Sequence, residues 1–276
     1  MKIVAEGGLE KMLTQLDDVV QYTLPVGEQE IPLNALLGKK IQLEYLGQIK
    51  CIYCRRATKK SFNQGYCYPC FQKLARCDSC IMSPEKCHYA LGTCREPEWA
   101  QGHCLVDHVV YLSSTSGPKV GITRASQIPT RWIDQGAIQA LPLMTVKTRH
   151  QSGLIEHLFK SHIADKTNWQ AMLKGKVAVQ DLPALRDKLL LLMKEELSSL
   201  QGTFASDSFS LMSHARVTDI HYPVNHYPDK VSSLDFEKQA VLEGVLQGIK
   251  GQYLMLDTGV LNVRKFTAYQ IRLSLA

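Results

Sequence analysis

His108-Val109-Val110-Tyr111-Leu112-Ser113-Ser114-Thr115-Ser116-Gly117-Pro118-Lys119-Val120-Gly121-Ile122-Thr123 reads as two strands around a tight turn. Val109 to Leu112 is apolar and β-branched, Ser113 to Pro118 is rich in turn formers, and Lys119 to Thr123 returns as a second run of strand-favouring residues. Downstream, Pro129 sits where a helix can begin and Gly136 where Thr130 to Gln135 must stop. Leu141 to Lys147 reads as a third strand. Gly153 to Ile163 then places Leu154, Ile155, Leu158 and Phe159 at helical spacing. Residues 108–176 are thus expected to form a compact α/β unit.

Upstream the chemistry changes. All nine cysteines lie between Cys51 and Cys104. The first four form two C-x2-C pairs, Cys51/Cys54 and Cys67/Cys70, with Gly65 and Pro69 beside the second. Each such turn presents two thiolates to one ion, so this spacing predicts a structural zinc site of the ribbon or knuckle kind. Cys77 and Cys80 make a third C-x2-C pair. Cys87 and Cys94 are the expected completion of a second zinc site, while His88, His103, Cys104 and His108 also stand within reach in sequence. Four thiolates equally suit an iron–sulfur cluster on Cys77, Cys80, Cys87 and Cys94, and cross-pairing of Cys67 and Cys70 with Cys77 and Cys80 is open as well.

Charge follows the cysteines. Residues 39–76 hold nine Lys or Arg against the single acid Glu44, a local charge of +8 in a chain of net +6. Arg55, Arg56, Lys59 and Lys60 are interleaved with Tyr53, Phe62, Tyr66 and Tyr68. Cations neutralise phosphates and aromatic faces stack on bases, so this surface predicts a nucleic-acid partner, DNA or RNA. Arg124 and Arg149 would add phosphate contacts.

Elsewhere, residues 1–50 are expected to hold a helix near Leu9 to Gln21 and a strand from Lys40 to Ile49. A further helix is expected over Leu182 to Leu200 and a serine-rich linker over Ser198 to Ser213. His221-Tyr222-Pro223, recurring as His226-Tyr227-Pro228, reads as extended chain. Val241 to Leu275 reads as a β-rich unit with turns at Gly244, Gly248 and Gly251. This divides the chain into 1–50, 51–107, 108–176, 177–215 and 216–276, an α+β protein. Glu6 and Glu10 interrupt any apolar signal core, and Leu189 to Met193 is too short to span a bilayer. A cytoplasmic protein without membrane contact is expected, in which paired cysteines bind metal instead of forming disulfides. Sequence says nothing about oligomeric state.

The order of elements in 108–176 resembles the GIY-YIG nuclease superfamily. The resemblance rests on Val109-Val110-Tyr111, Lys119-Val120-Gly121, Arg131 in Pro129-Thr130-Arg131-Trp132, and Glu156 in Leu154-Ile155-Glu156. It implies hydrolysis of a phosphodiester, with Tyr111 near the attacking water, Arg131 on the charged phosphate and Glu156 holding Mg(II). Lys119 stands where the superfamily usually has its second tyrosine, and a lysine of ordinary pKa is a poor general base. Lys119 to Arg124, Trp132 to Ala137 and Gly248 to Arg264 also resemble an uncharacterised bacterial conserved-hypothetical family, which implies no activity. Three functions follow as expectations: a divalent-metal-dependent endonuclease, a nucleic-acid-binding protein with a degenerate nuclease fold, or an iron–sulfur protein of redox or nucleic-acid modification.

Overall fold

Three antiparallel sheets organise the chain in the computed structural model, which describes residues 1–205 and 207–276. The chain starts with β1 (Lys2–Gly8) and then makes a small sheet from β2 (Leu13–Gln15), β3 (Gln21–Val26) and β4 (Gln29–Pro32). The helix expected over Leu9 to Gln21 is absent, and strands stand in its place. Leu9, Met12 and Val20 are completely buried, which gives the apolar spacing of a helix face. The backbone of Met12, however, is satisfied from far away in sequence. Gln252 Nε2 donates to its carbonyl at 3.0 Å and Gln252 Oε1 accepts from its N–H at 2.8 Å. With those groups paired, no helical turn is needed to satisfy them.

The predicted strand at Lys40 is present as β5 (Lys40–Lys50), extended by a short pairing with β6 (Ala57–Thr58). Two short helices, α1 (Tyr68–Lys73) and α2 (Pro97–His103), bracket a run of 3-10 turns in the cysteine-rich region. The 108–123 stretch forms the hairpin β7 (His108–Ser114) and β8 (Pro118–Arg124), with Tyr111 opposite Gly121. All seven residues of β7 are buried, because the strand lies inside its sheet and is covered by helices. After α3 (Thr130–Asp134), β9 (Gln139–Val146) pairs with the other edge of β7.

Helix α4 (Arg149–Phe159) begins four residues before the predicted Gly153. Thr148 and Gln151 supply the reason, a reciprocal capping box in which each side chain accepts the other's backbone N–H at 3.1 and 3.0 Å. Ile155 and Phe159 of α4 pack on Val110, Leu112, Val120 and Leu141 to form the core of this unit. After α5 (Trp169–Leu173), the predicted long helix is broken at the buried Met193 into α6 (Leu182–Leu192) and α7 (Lys194–Gln201). The serine-rich segment is not all linker. Its start is the end of α7, Ser206 lies outside the described residues, and β10 (Phe209–Leu211) pairs with β9. β11 (Thr218–Asp219) adds to the same strand.

The 221–228 segment is extended, as its prolines suggest, and ties two sheets together: Val20 N–H donates to His221 O and Ile249 N–H to Pro223 O. The tail supplies β12 (Val241–Lys250), β13 (Tyr253–Leu256), β14 (Gly259–Asn262) and β15 (Tyr269–Leu275). Of the three glycines read as turns only Gly251 is one, at φ +61°. Gly244 and Gly248 lie within β12, and a Cβ on Gly248 would come 2.8 Å from Val224. The large sheet runs β1-β15-β5-β12-β13-β14, so segments 1–50 and 216–276 meet in one sheet and one core. The chain is mixed α and β, with its cysteine cluster placed between the large sheet and the α/β unit in sequence.

Candidate functional site

The first cysteine quartet grows from the end of β5. Cys51 follows Lys50 directly, its N–H donates to Arg56 O, and Arg55 turns back through φ +62° to donate to Cys51 O. This tight turn brings Cys54 round, while Cys67 caps α1 and Cys70 lies within it. All four sulfurs lie within 4.8 Å of one another. Cys54 and Cys67 are 3.7 Å apart, close to the roughly 3.8 Å edge of a tetrahedron with zinc–sulfur bonds of about 2.3 Å. Burial disfavours a Cys51 thiolate, but backbone donors from Cys54, Cys67 and Tyr53 prevail and bring its thiol down to about 6. The group could hold a metal such as zinc, and four protein thiolates leave that ion no open position.

Cys77 does not join the second group. It packs with Cys51, Cys67, Cys70 and Leu74 in the small core of the first. Cys80, Cys87 and Cys94 instead line a cavity together with Cys104. Burial, then Asp78 and the neighbouring thiols, pushes Cys80 up to about 11. Asp78 and His88 also approach Cys80, but Asp78 is engaged by Arg95 at 2.8 Å and His88 Nδ1 lies 2.7 Å from Thr93 Oγ1.

A cleft of about 510 Å³ opens where the cysteine-rich region, the α/β unit and the large sheet's flank meet. Lys119, Arg131 and Glu156 all line it, brought together from β8, α3 and α4. Tyr111 lies behind its wall. It is fully buried, edge-on to Trp132, and its hydroxyl donates to Gln135 Oε1 at 3.0 Å. Gly121 and Gln135, which contact that hydroxyl, face the cleft. A Cβ at Gly121 would stand 2.7 Å from the Tyr111 oxygen, so the tyrosine requires a glycine across the hairpin. Burial raises the Tyr111 hydroxyl to about 12.

Lys119 is 4% exposed, with Nζ 3.4 Å from Thr167 Oγ1. Burial first, and the Arg131 cation second, bring its ammonium down to about 8. Burial pushes the Glu156 carboxyl up, opposed mainly by Lys160. Lys160 lies 3.7 Å from Glu156 and 3.3 Å from Asp165, so two carboxylates share one ammonium. Arg149 lies between the second cysteine group and the cleft. Its Nη2 donates to Ile81 O at 2.7 Å, its backbone N–H donates to Cys104 O, and its buried Nε has no protein partner.

The cleft is strongly basic. Lys11, Arg76, Lys119, Arg124, Arg131, Arg149, Lys160, Lys166 and Arg264 line it, against Asp134, Glu156 and Asp165. Arg124 is therefore on the cleft, but Arg55, Arg56, Lys59 and Lys60 are not; they decorate the exposed surface of the first cysteine loop. Arg76 closes the basic run of residues 39–76, whereas Lys11 and Arg264 belong to no charge pattern around the cleft residues, and only the fold collects all three there. Among the described residues no helix is long and apolar enough to cross a membrane.

No curated protein and no solved structure matches the chain. Residues 38–271 match the model of a family described as Protein of unknown function (DUF2797). The matched span runs from the loop before β5 into β15, and so takes in both cysteine groups and all of the cleft except Lys11. On that extent of agreement, the chain belongs to the DUF2797 family.

Proposed function

We propose that this is a zinc-containing nucleic-acid-binding protein that cleaves phosphodiesters in the basic cleft with a divalent cation. The observation that carries this reading is the meeting of Lys119, Arg131 and Glu156 on one cleft whose lining holds nine cations and three acids. Such a lining releases counterions from a phosphate backbone and orients it. The first cysteine quartet supplies rigidity, fixing Arg76 and its neighbours as one wall. The superfamily resemblance of 108–176 agrees with the antiparallel strands β8-β7-β9 covered by α4.

The donors suit a hard cation, because Glu156 and Asp165 offer carboxylate oxygens beside one another and Mg(II) takes one or two carboxylates with substrate oxygens. Bound there, the cation would neutralise phosphate charge and polarise the leaving oxygen. Arg131 presents a planar fork of donors to the non-bridging oxygens. Lys119 Nζ, brought down to about 8, is in a range where a neutral amine can accept the proton of an attacking water. Tyr111, held protonated behind the wall, acts by fixing Gln135 and the hairpin beneath the phosphate.

The full-length protein is to be incubated with a mixed panel of DNA and RNA, with and without Mg(II). Mg(II)-dependent nicking, lost in Glu156→Ala and Arg131→Ala, is expected. The full burial of Tyr111 favours a second reading, in which the same cleft binds without cutting. Salt-sensitive binding without nicking would select it. Absence of binding even at low salt would sink both.

A further inference from the structure

Helix α2 carries an aromatic pair that neither reading of the cleft uses. Trp99 and His103 stand one helical turn apart, with ring centroids separated by 4.2 Å and planes 19° from parallel. Both are half-buried and line the cleft. The array of flat groups continues away from it. Arg76 lies over the rings of both Trp99 and Tyr53, its guanidinium carbon 5.4 Å from each centroid. Tyr53, 53% exposed, lines a separate groove beside the first cysteine quartet, together with Arg56 and Lys73. We infer that the cleft takes a single strand of nucleic acid, whose unpaired bases stack on the Trp99–His103 pair and on Tyr53. The inference rests on the reading of the cleft as a phosphate site and adds to it the form of the substrate.

Core packing does not account for these rings. Of the three tryptophans, Trp132 lies in the main hydrophobic core, and Trp169 stacks on Tyr253 beside Met172. Among the described residues, Trp99 and Tyr53 join none of the hydrophobic clusters. Trp99 borders the second cysteine cavity, but the groups against its ring are a guanidinium and an imidazole. Ring surface left open beside so many cations is apolar area that the face of a base can cover. A guanidinium held over ring faces also keeps its charge for a phosphate, because a ring neutralises it less than a carboxylate would. Cations that track the backbone, interleaved with rings that take the bases, are the means by which proteins hold single strands.

Dimensions point the same way. A cleft of about 510 Å³ falls within the roughly 300–1,000 Å³ that encloses one small organic molecule. It admits a nucleotide, not the cross-section of a duplex. In a duplex, moreover, each base is already stacked on its neighbours and offers only its edges to the grooves. Ring faces on a protein find no partner there, whereas every unpaired base has a face to give them. Arg76 and Trp99 join the cleft to the Tyr53 groove, so a strand leaving the cleft has a path onward to Arg56 and Lys73.

The test is anisotropy of a labelled strand of about 12 nucleotides, as DNA and as RNA, alone and as a blunt duplex. It is run with full-length protein, without Mg(II) so that nothing is cut, and at pH 8, where an imidazole is neutral. The single strand is expected to bind at least about tenfold tighter than the duplex. Tyr53→Ala and His103→Ala are each expected to weaken the single strand about fivefold to a hundredfold. Neither should alter duplex affinity or the slope against salt, because neither removes a phosphate contact. Trp99→Phe, which keeps a ring, is expected to bind as wild type does. Circular dichroism matching wild type reports that each variant is folded. A duplex bound as tightly as the single strand overturns the inference, as does a folded Tyr53→Ala or His103→Ala protein that binds the single strand like wild type. Weakening that comes with a lower salt slope also overturns it, since the loss is then one of charge. Those results leave the cleft standing as a phosphate site, whereas binding of neither form sinks both readings.

Discussion

Lys119→Met asks whether the cleft holds a charge that the fold resists. The ammonium of this nearly buried lysine is brought from its ordinary 10.5 to about 8, by burial first and Arg131 second, with Glu156 and Asp165 acting the other way. Below about pH 8 the folded protein carries the proton at a cost that the unfolded chain escapes. Between about 8 and 10.5 the unfolded chain binds more protons, so stability rises with pH, and above that range the cost is gone. The gap between 10.5 and about 8 corresponds to about 3 kcal/mol at pH 7. Methionine fills the same apolar stem but gives up the 3.4 Å contact with Thr167, a loss of about 1 kcal/mol. The variant is therefore expected to be about 2 kcal/mol more stable than wild type at pH 7. Urea unfolding midpoints of the two proteins, measured from pH 7 to 10.5, give the comparison. Their difference should shrink as pH rises and then reverse slightly. A difference constant with pH, or a variant already weaker at pH 7, would refute the reasoning. Loss of nucleic-acid cutting in a protein made more stable would show that the lysine is kept for function.

Gly121→Ala should displace Tyr111, whose oxygen and ring would lie 2.7 and 2.8 Å from the new carbon; denaturation should show a loss of about 1–3 kcal/mol. Gln252→Leu should cost about 2–4 kcal/mol by stranding both backbone groups of the buried Met12, again read by denaturation. For nucleic-acid binding followed by anisotropy, Arg131→Ala and Arg264→Ala should each reduce the slope of log affinity against log salt by about one. Arg55→Ala and Lys59→Ala, away from the cleft, should change it less. Cys54→Ser should lower the zinc content of the purified protein and raise amide exchange over Cys51 to Lys73, because a metal held by the quartet would fix a turn and a six-residue helix that have little other core.

What could be read along the sequence was whatever depends on near neighbours. The hairpin at 108–123 was legible because alternation and turn chemistry act within a few residues, and the first cysteine quartet because two C-x2-C turns fix their own geometry. The N-terminal segment misled for the opposite reason. Leu9, Met12 and Val20 repeat at a helical interval, and only Gln252, from the far end of the sequence, shows why the backbone stays extended. Cys77 and Cys104 were exchanged on similar grounds: adjacency in a C-x2-C pair suggested that Cys77 accompanies Cys80, whereas the turn at Ala75–Cys77 directs it to the first quartet. Helix α2 carries Cys104 to the other site. The cleft's charge was visible in part, through Arg124, Arg131 and Arg149. Lys11, Arg76 and Arg264 became members of it only when three elements of the fold converged.

β1 and β15, far apart in the sequence, are neighbours in the large sheet, and among the described residues β15 is the one strand paired with β1 in that sheet. During synthesis the first strand must therefore wait for the last. Lys11, just after β1, and Arg264, just before β15, share that delay, since both depend on the same sheet to reach the cleft. Contacts so distant in sequence form slowly. The hairpin, α4 and the cysteine loops can assemble earlier, but the fully charged cleft is a late product of folding. A nascent chain thus completes the cationic lining of the cleft only after β15 has docked.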